Sequence, residues 1–165
     1  MAALTHGTKA PDFTLPLMDG GKFSLSEELK RGPVVLAFFK VSCPVCQYAF
    51  PFLQRIFKAY AGRNVTLVGA SQNGRKDTAA FLEKFGLTFP VLLDDPNDYL
   101  VSNAYGLTNV PTVFWIGQDG GIEISSIGWI KKEMEQISDK AAVSSSEIEV
   151  PLFQPSEQIP EFRAG

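Results

Sequence analysis

Six consecutive apolar residues, Val34-Val35-Leu36-Ala37-Phe38-Phe39, constrain the fold of this chain more than any other stretch. The run is a strand's length, rich in β-formers, and has no polar face. Such a strand must be covered on both sides, as in a parallel sheet with helices packed above and below. Beyond it the period changes. Ala49, Phe52, Leu53, Ile56, Phe57 and Tyr60 lie on one face of a helix that Gly62 can end. Val65 to Ala70 reads as a second buried strand, so the first half predicts a βαβ unit.

The remaining segments extend that unit into one mixed α/β domain. Pro11 to Pro16 alternates apolar with polar residues, and Phe23-Ser24-Leu25 follows the turn signal Asp19-Gly20-Gly21, which together read as a short hairpin. Ser26 to Leu29 reads as a capped helical turn. Asp77 can cap a helix whose apolar face is Phe81, Leu82 and Phe85, closed by Gly86. Phe89 to Leu93 is a short strand, and Asn97 or Asp98 can cap a helix closed by Gly106. Thr112–Ile116 and Ile122–Ile127 flank Asp119-Gly120, the signal of an antiparallel hairpin. A last helix carries the stripe Ile130, Met134, Ile137 and Ala141. Residues 1–143 read as a single domain, with 1–10 a loose polar arm and 144–165 an extended tail. Val150, Leu152, Phe153, Ile159 and Phe162 give the tail enough apolar surface to pack along the domain.

Thirteen Phe, four Tyr and two Trp in 165 residues are too many aromatics for a disordered chain. A net charge of −3 makes a poor binder of phosphate backbones, so no nucleic-acid partner is expected. No stretch approaches the ~20 apolar residues of a membrane span. The first six residues lack the basic start and apolar core of a secretory signal. The chain as written is expected to be cytoplasmic, and extracytoplasmic if a leader has been trimmed from it. Its two cysteines cannot staple a fold of this size. They stand close together, in Cys43-Pro44-Val45-Cys46.

A Cys-x-x-Cys pair has three common readings. Half a zinc site needs two more soft ligands, but the chain has no other cysteine and its one histidine, His6, lies in the polar arm. No metal is expected. Two buried hydrophobes would explain either cysteine alone, but not both at the junction of a buried strand and a helix. The third reading, a redox dithiol, has a mechanism. Pro44 suits the first position of a helix, which puts Cys43 at the N-cap and Cys46 one turn on. Cys43 then faces unpaired backbone N–H groups and the positive end of the helix dipole, where thiolate is favoured over thiol. Cys43 becomes the attacking thiolate and Cys46 the resolving thiol, with no cofactor beyond the Cys43–Cys46 disulfide itself.

These residues resemble a known active site. Phe38-Phe39, Cys43-Pro44-Val45-Cys46 and Pro51 are similar to the active-site segment of the thioredoxin-like superfamily. Asn109-Val110-Pro111-Thr112-Val113-Phe114 resembles its cis-proline loop, which faces the cysteines and offers backbone to an extended substrate. The resemblance implies a cis Val110–Pro111 bond and makes Val110 and Pro111 substrate-binding residues. Ala10 to Leu15, with Asp19-Gly20 and Phe23-Ser24-Leu25, resembles the opening hairpin of the AhpC/TSA and TlpA/ResA-like branch. Phe81 to Asp94 resembles the βα insertion of that branch. The implied fold is thioredoxin-like α/β, with a mixed central sheet, helices on both faces, an N-terminal β-hairpin and a βα insertion. The implied activity is thiol-disulfide exchange with protein or small-molecule disulfides and dithiols, served by an upstream reductant or oxidant.

Several positions depart from the family pattern. Peroxiredoxins carry Thr or Ser three residues before the peroxidatic cysteine and Pro seven before it; here Lys40 and Leu36 stand there. No arginine occurs between Tyr105 and Trp129 to complete a peroxide site. Disulfide exchange is therefore preferred over peroxidase chemistry, with a non-enzymatic binding module as a third reading. The acid of thioredoxin, six residues before the first cysteine, is replaced by Ala37. The glutamate of TlpA/ResA-like proteins, three residues after the second, is replaced by Ala49. Lys40 is a candidate modulator of the Cys43 thiolate by charge attraction, set against a plain surface lysine at a strand end.

Overall fold

The computed structural model describes residues 2–165. An opening hairpin, β1 (Thr14–Pro16) and β2 (Lys22–Ser24), precedes a central sheet. That sheet contains β3 (Val34–Phe39), β4 (Thr66–Ser71), β5 (Val91–Leu93), β6 (Thr112–Ile116) and β7 (Ile122–Ile127) in the spatial order β5-β4-β3-β6-β7. Strands β3, β4 and β5 run parallel, while β6 is antiparallel to β3 and β7 to β6. The helices are α1 (Leu25–Leu29), α2 (Pro44–Tyr60), α3 (Arg75–Phe85), α4 (Leu100–Ala104) and α5 (Lys131–Ser145).

Every residue of β3 is buried, as its unbroken apolar run requires. Val35, Ala37 and Phe39 join a core with Leu53 and Ile56 of α2, Phe81 of α3 and Ile137 of α5. Val34, Leu36 and Phe38 join a second core with Leu25 of α1, Val101 of α4 and Tyr105. Full burial of such a side chain contributes roughly 1.5–3 kcal/mol of apolar transfer, so β3 is secured from both faces. The end of this strand launches the cysteine loop.

Three helix starts differ from the sequence expectation. Helix α1 is capped by Ser24, whose Oγ accepts from Glu27 N at 3.5 Å, and not by Ser26. Helix α3 begins behind Gly74, which leaves Asp77 in the first turn and not at the cap. Neither Asn97 nor Asp98 caps α4. The buried Asp94 carboxylate reaches it from the end of β5, accepting from Val101 N (3.2 Å), Ser102 N (2.7 Å) and Ser102 Oγ (2.6 Å). A buried carboxylate needs such donors to offset its lost hydration, whereas Asn97 and Asp98 are exposed and hydrated.

Both outer strands of the sheet acquire neighbours. Leu17 bridges Leu92 of β5, and Met18 N donates to Val91 O at 2.9 Å. The amino-terminal arm, expected to be loose, is tied to the start of β7. Gly7 N donates to Ile122 O (2.9 Å), Ile122 N to Thr8 O (2.8 Å), and Ala10 N to Gly120 O (2.8 Å).

After α5 the chain turns at Ser146, with φ of 59°, and doubles back along α2. Val150 N donates to Tyr60 Oη (2.7 Å), and Leu152 is buried in the core beneath. Arg55 grips Glu157 through two bonds of 2.8 and 2.7 Å. A further strand pair, β8 (Trp129–Ile130) with β9 (Phe162–Arg163), closes the path antiparallel, and Trp129 Nε1 donates to Pro160 O at 2.7 Å. The tail is thus a strap laid over α2.

The Arg55–Glu157 clasp is sensitive to acid. Hydrogen bonds from Arg55, reinforced by Gln154 N, hold the Glu157 carboxyl at about 2, below the usual carboxylate range. A carboxyl depressed in the folded chain stabilises the docked tail above its free value, and that contribution fades as pH falls towards the folded one. Amides of residues 152–158 should therefore lose hydrogen-exchange protection as pH drops from about 4.5 to 2. In Glu157→Gln the protection should already be weaker at neutral pH and should change less on acidification. Identical acid profiles for the two proteins would refute the clasp.

Candidate active site

The chemistry of the cysteine loop begins with how α2 starts. Pro44 occupies the first turn and Cys43 is the N-cap residue with extended backbone, φ −81° and ψ 115°. The Cys43 Sγ accepts from Cys46 N at 3.1 Å, so the sulfur takes the place that a serine or aspartate oxygen fills at other helix starts. Gln47 N donates to Cys43 O at 3.0 Å and continues the helix. The preceding loop is pinned on both sides. Asn73 Oδ1 accepts from Val41 N, and Gln47 Nε2 donates to Val41 O, each at 2.9 Å.

Both cysteines are free thiols, and their environments differ. Cys43 is partly exposed, whereas Cys46 is fully buried. Burial pushes the Cys46 thiol up, and its hydrogen bond to Cys43 adds to the rise. One sulfur is open to a partner while the other is held protonated behind it. Pro51 lies inside α2, two residues beyond Ala49.

The loop facing the pair contains a cis Val110–Pro111 peptide. The Cys43 thiol donates to Val110 O at 3.4 Å, which joins two loops 67 residues apart in the chain. Thr112 Oγ1 donates to Asn109 O (2.8 Å) and Gly128 N to Pro111 O (2.8 Å), fixing the loop from within and from behind. Cys43, Cys46, Val110 and Pro111 thus come together as the sequence reading expected. Lys40 is exposed, and its ammonium lies over the ring of Tyr99, 5.7 Å from the centroid. Ala37 and Ala49 are both buried and supply no carboxylate near the pair.

Sequence reasoning missed the tail's share in this site. Asn109 Nδ2 donates to Gly165 O at 3.2 Å, and a β-carbon on Gly165 would collide with the Val110 carbonyl. Gly128, at φ 76°, lets the Arg163 carbonyl approach where a β-carbon would lie only 2.7 Å from it. The Arg163 guanidinium sits over Tyr48, two residues beyond Cys46, at 5.0 Å. The one signal in the sequence was Gly128 between the strand-like run Ile122–Ile127 and the helical stripe that opens at Ile130; the partner it accommodates lies 35 or more residues away.

Among the described residues no group of three or more His, Cys, Asp or Glu is placed to hold a metal ion. Nor, among the described residues, is any helix long and apolar enough to cross a membrane.

A dithiol at the N-terminus of a helix, facing a cis-proline loop beside a mixed five-stranded sheet, defines a thioredoxin-like protein. The AhpC/TSA family model matches residues 6–125, and the chain belongs to that family. It is 31% identical over 132 residues to the thiol-disulfide oxidoreductase ResA of Geobacillus thermodenitrificans, covering 79% of this chain and 74% of ResA. A solved thiol:disulfide interchange protein of Chlorobium tepidum superposes with a TM-score of 0.69 at 26% identity, over 84% of this chain and 99% of the other. Peroxidoxin BcpB of Mycobacterium tuberculosis gives 0.64 at 26% identity, over 87% of this chain and 97% of BcpB.

Proposed function

We propose that this protein is a thiol-disulfide oxidoreductase in which Cys43 attacks and Cys46 resolves. The supporting observation is the pairing of an accessible Cys43 Sγ, bonded to the Cys46 N–H and facing Val110 O, with a buried Cys46 one turn behind. The Cys43 thiolate attacks one sulfur of a partner disulfide, forming a mixed disulfide and releasing a partner thiolate. Cys46 then loses its proton and displaces the second partner thiolate from Cys43. The partner gains two electrons and two protons, and the protein keeps the Cys43–Cys46 disulfide. An upstream dithiol returns it to the reduced form, and the same steps run in reverse when the partner is the dithiol. Val110 and Pro111 form the edge along which an extended partner segment lies. Residues 1–143 act as the catalytic domain and 144–165 as its strap.

Peroxidase chemistry is less favoured, because Lys40 and Leu36 stand where a peroxide site needs its hydroxyl and proline. Stopped-flow oxidation of the reduced protein separates the two readings. A peptide disulfide should oxidise it far faster than hydrogen peroxide, whose rate should stay near that of free cysteine. Peroxide winning that comparison would overturn the assignment.

A further inference from the structure

Beside the dithiol lies a polar basin of about 240 Å³. Lys40, Gln72, Tyr99, Ser102 and Asn103 line it, and Asn109 and Val110 form its edge towards Cys43. None of the lining residues is acidic. Among the described residues Lys40 pairs with no carboxylate; its ammonium rests over the Tyr99 ring instead. Tyr99 holds that position with a left-handed backbone, φ 48° and ψ 45°, unusual for a bulky residue. The polar groups of its floor are already paired with one another. Gln72 Nε2 donates to Ser102 Oγ (2.8 Å), which donates to the buried Asp94 carboxylate (2.6 Å). Asp94 is in turn engaged by two backbone N–H groups, so its charge is bound within the floor.

An unpaired cation over a polar basin, whose rim is the carbonyl bonded to the attacking sulfur, suits one kind of neighbour. We infer that the basin is a specificity subsite for a carboxylate side chain close to the partner's disulfide cysteine, with Lys40 as its recognition residue. The inference rests on the proposed oxidoreductase function and adds a substrate class to it: acidic protein segments. An extended segment laid along Val110 and Pro111 would place a side chain adjacent to its cysteine at this rim. Binding there pairs a carboxylate with the Lys40 ammonium, a charge-assisted arrangement that an amide side chain does not match.

The test uses the full chain and disulfide peptides identical except for Glu, Gln or Lys beside the reacting cysteine. Glutathione disulfide serves as a small carboxylate-bearing comparison. The Glu peptide should exceed the Gln peptide in kcat/KM by about fivefold at low salt, the range of one partly exposed charge pair. The Lys peptide should fall below both, and the preference should shrink as ionic strength rises. Lys40→Met should bring the Glu-to-Gln ratio to unity and Lys40→Arg should retain most of it. The pH dependence of Cys43 alkylation should be the same in both variants as in the wild type. Parity of Glu and Gln peptides in an enzyme that turns over both would overturn the subsite alone. A shifted alkylation profile would also overturn it, because Lys40 would then act on the thiolate. Lys40 dependence for glutathione disulfide but not for peptides would overturn the acidic-segment occupant. Absence of turnover on every disulfide would overturn the parent function, and the subsite with it.

Discussion

Cys43→Ser should abolish disulfide exchange, lowering the rate by roughly a thousandfold or more, because a serine hydroxyl is not ionised near neutral pH and cannot attack sulfur. Cys46→Ser should behave differently. Attack by Cys43 survives, but the mixed disulfide has no resolving thiol and accumulates as a covalent adduct visible by mass spectrometry. The two variants separate because the structure treats the sulfurs unequally, one partly exposed at the helix cap and one fully buried. Burial raises the Cys46 thiol, so its thiolate is scarce at neutral pH and resolution should quicken as the solution is made alkaline. Ala37 and Ala49 leave no nearby family carboxylate to remove that proton, which reinforces the same dependence. Equal adduct yields from the two variants would exclude the assigned order of attack.

Trp129→Ala is expected to have the largest effect on stability. The indole is fully buried, packs on Tyr48 (5.0 Å), Phe52 (5.2 Å) and Phe153 (5.9 Å), and donates to Pro160 O. Truncating such a residue costs about 3–5 kcal/mol through lost burial and the cavity left behind. For a chain of this length that corresponds to a fall in Tm of roughly 6–20 °C. The same change removes the seat of the tail, so protease cleavage between Pro151 and Arg163 should appear below the melting transition. Trp129→Phe keeps the ring contacts and loses only the N–H donor, at about 1 kcal/mol. Calorimetry and limited proteolysis check both variants; a Trp129→Ala melt within about 2 °C of the wild type would show that the strap is not anchored there.

What could be read from the sequence was what is local. The unbroken run of β3 required burial on both faces, and the period of α2 named its buried face from Ala49 to Tyr60. The cysteine pair was equally legible, since Pro44 and the three-residue spacing dictate cap geometry within one turn. The cap of α4 was not. Asp94 reaches Val101 and Ser102 from a strand seven and eight residues upstream, past two residues with better local credentials. The basin was hidden for a similar reason, as Lys40, Gln72, Tyr99 and Asn109 come from four separate loops or element ends. The tail's apolar residues predicted that it could pack, but its route depends on Arg55 meeting Glu157 across 102 residues. Nothing periodic encodes such a meeting.

The neighbours of the outer strands also limit how other chains can approach. An uncovered strand presents unpaired N–H and C=O groups on which foreign backbone can nucleate, the usual start of ordered aggregates. Here Leu17 and Met18 lie against β5, and the amino-terminal arm occupies the start of β7. A partner is thus steered away from augmenting the sheet at either place.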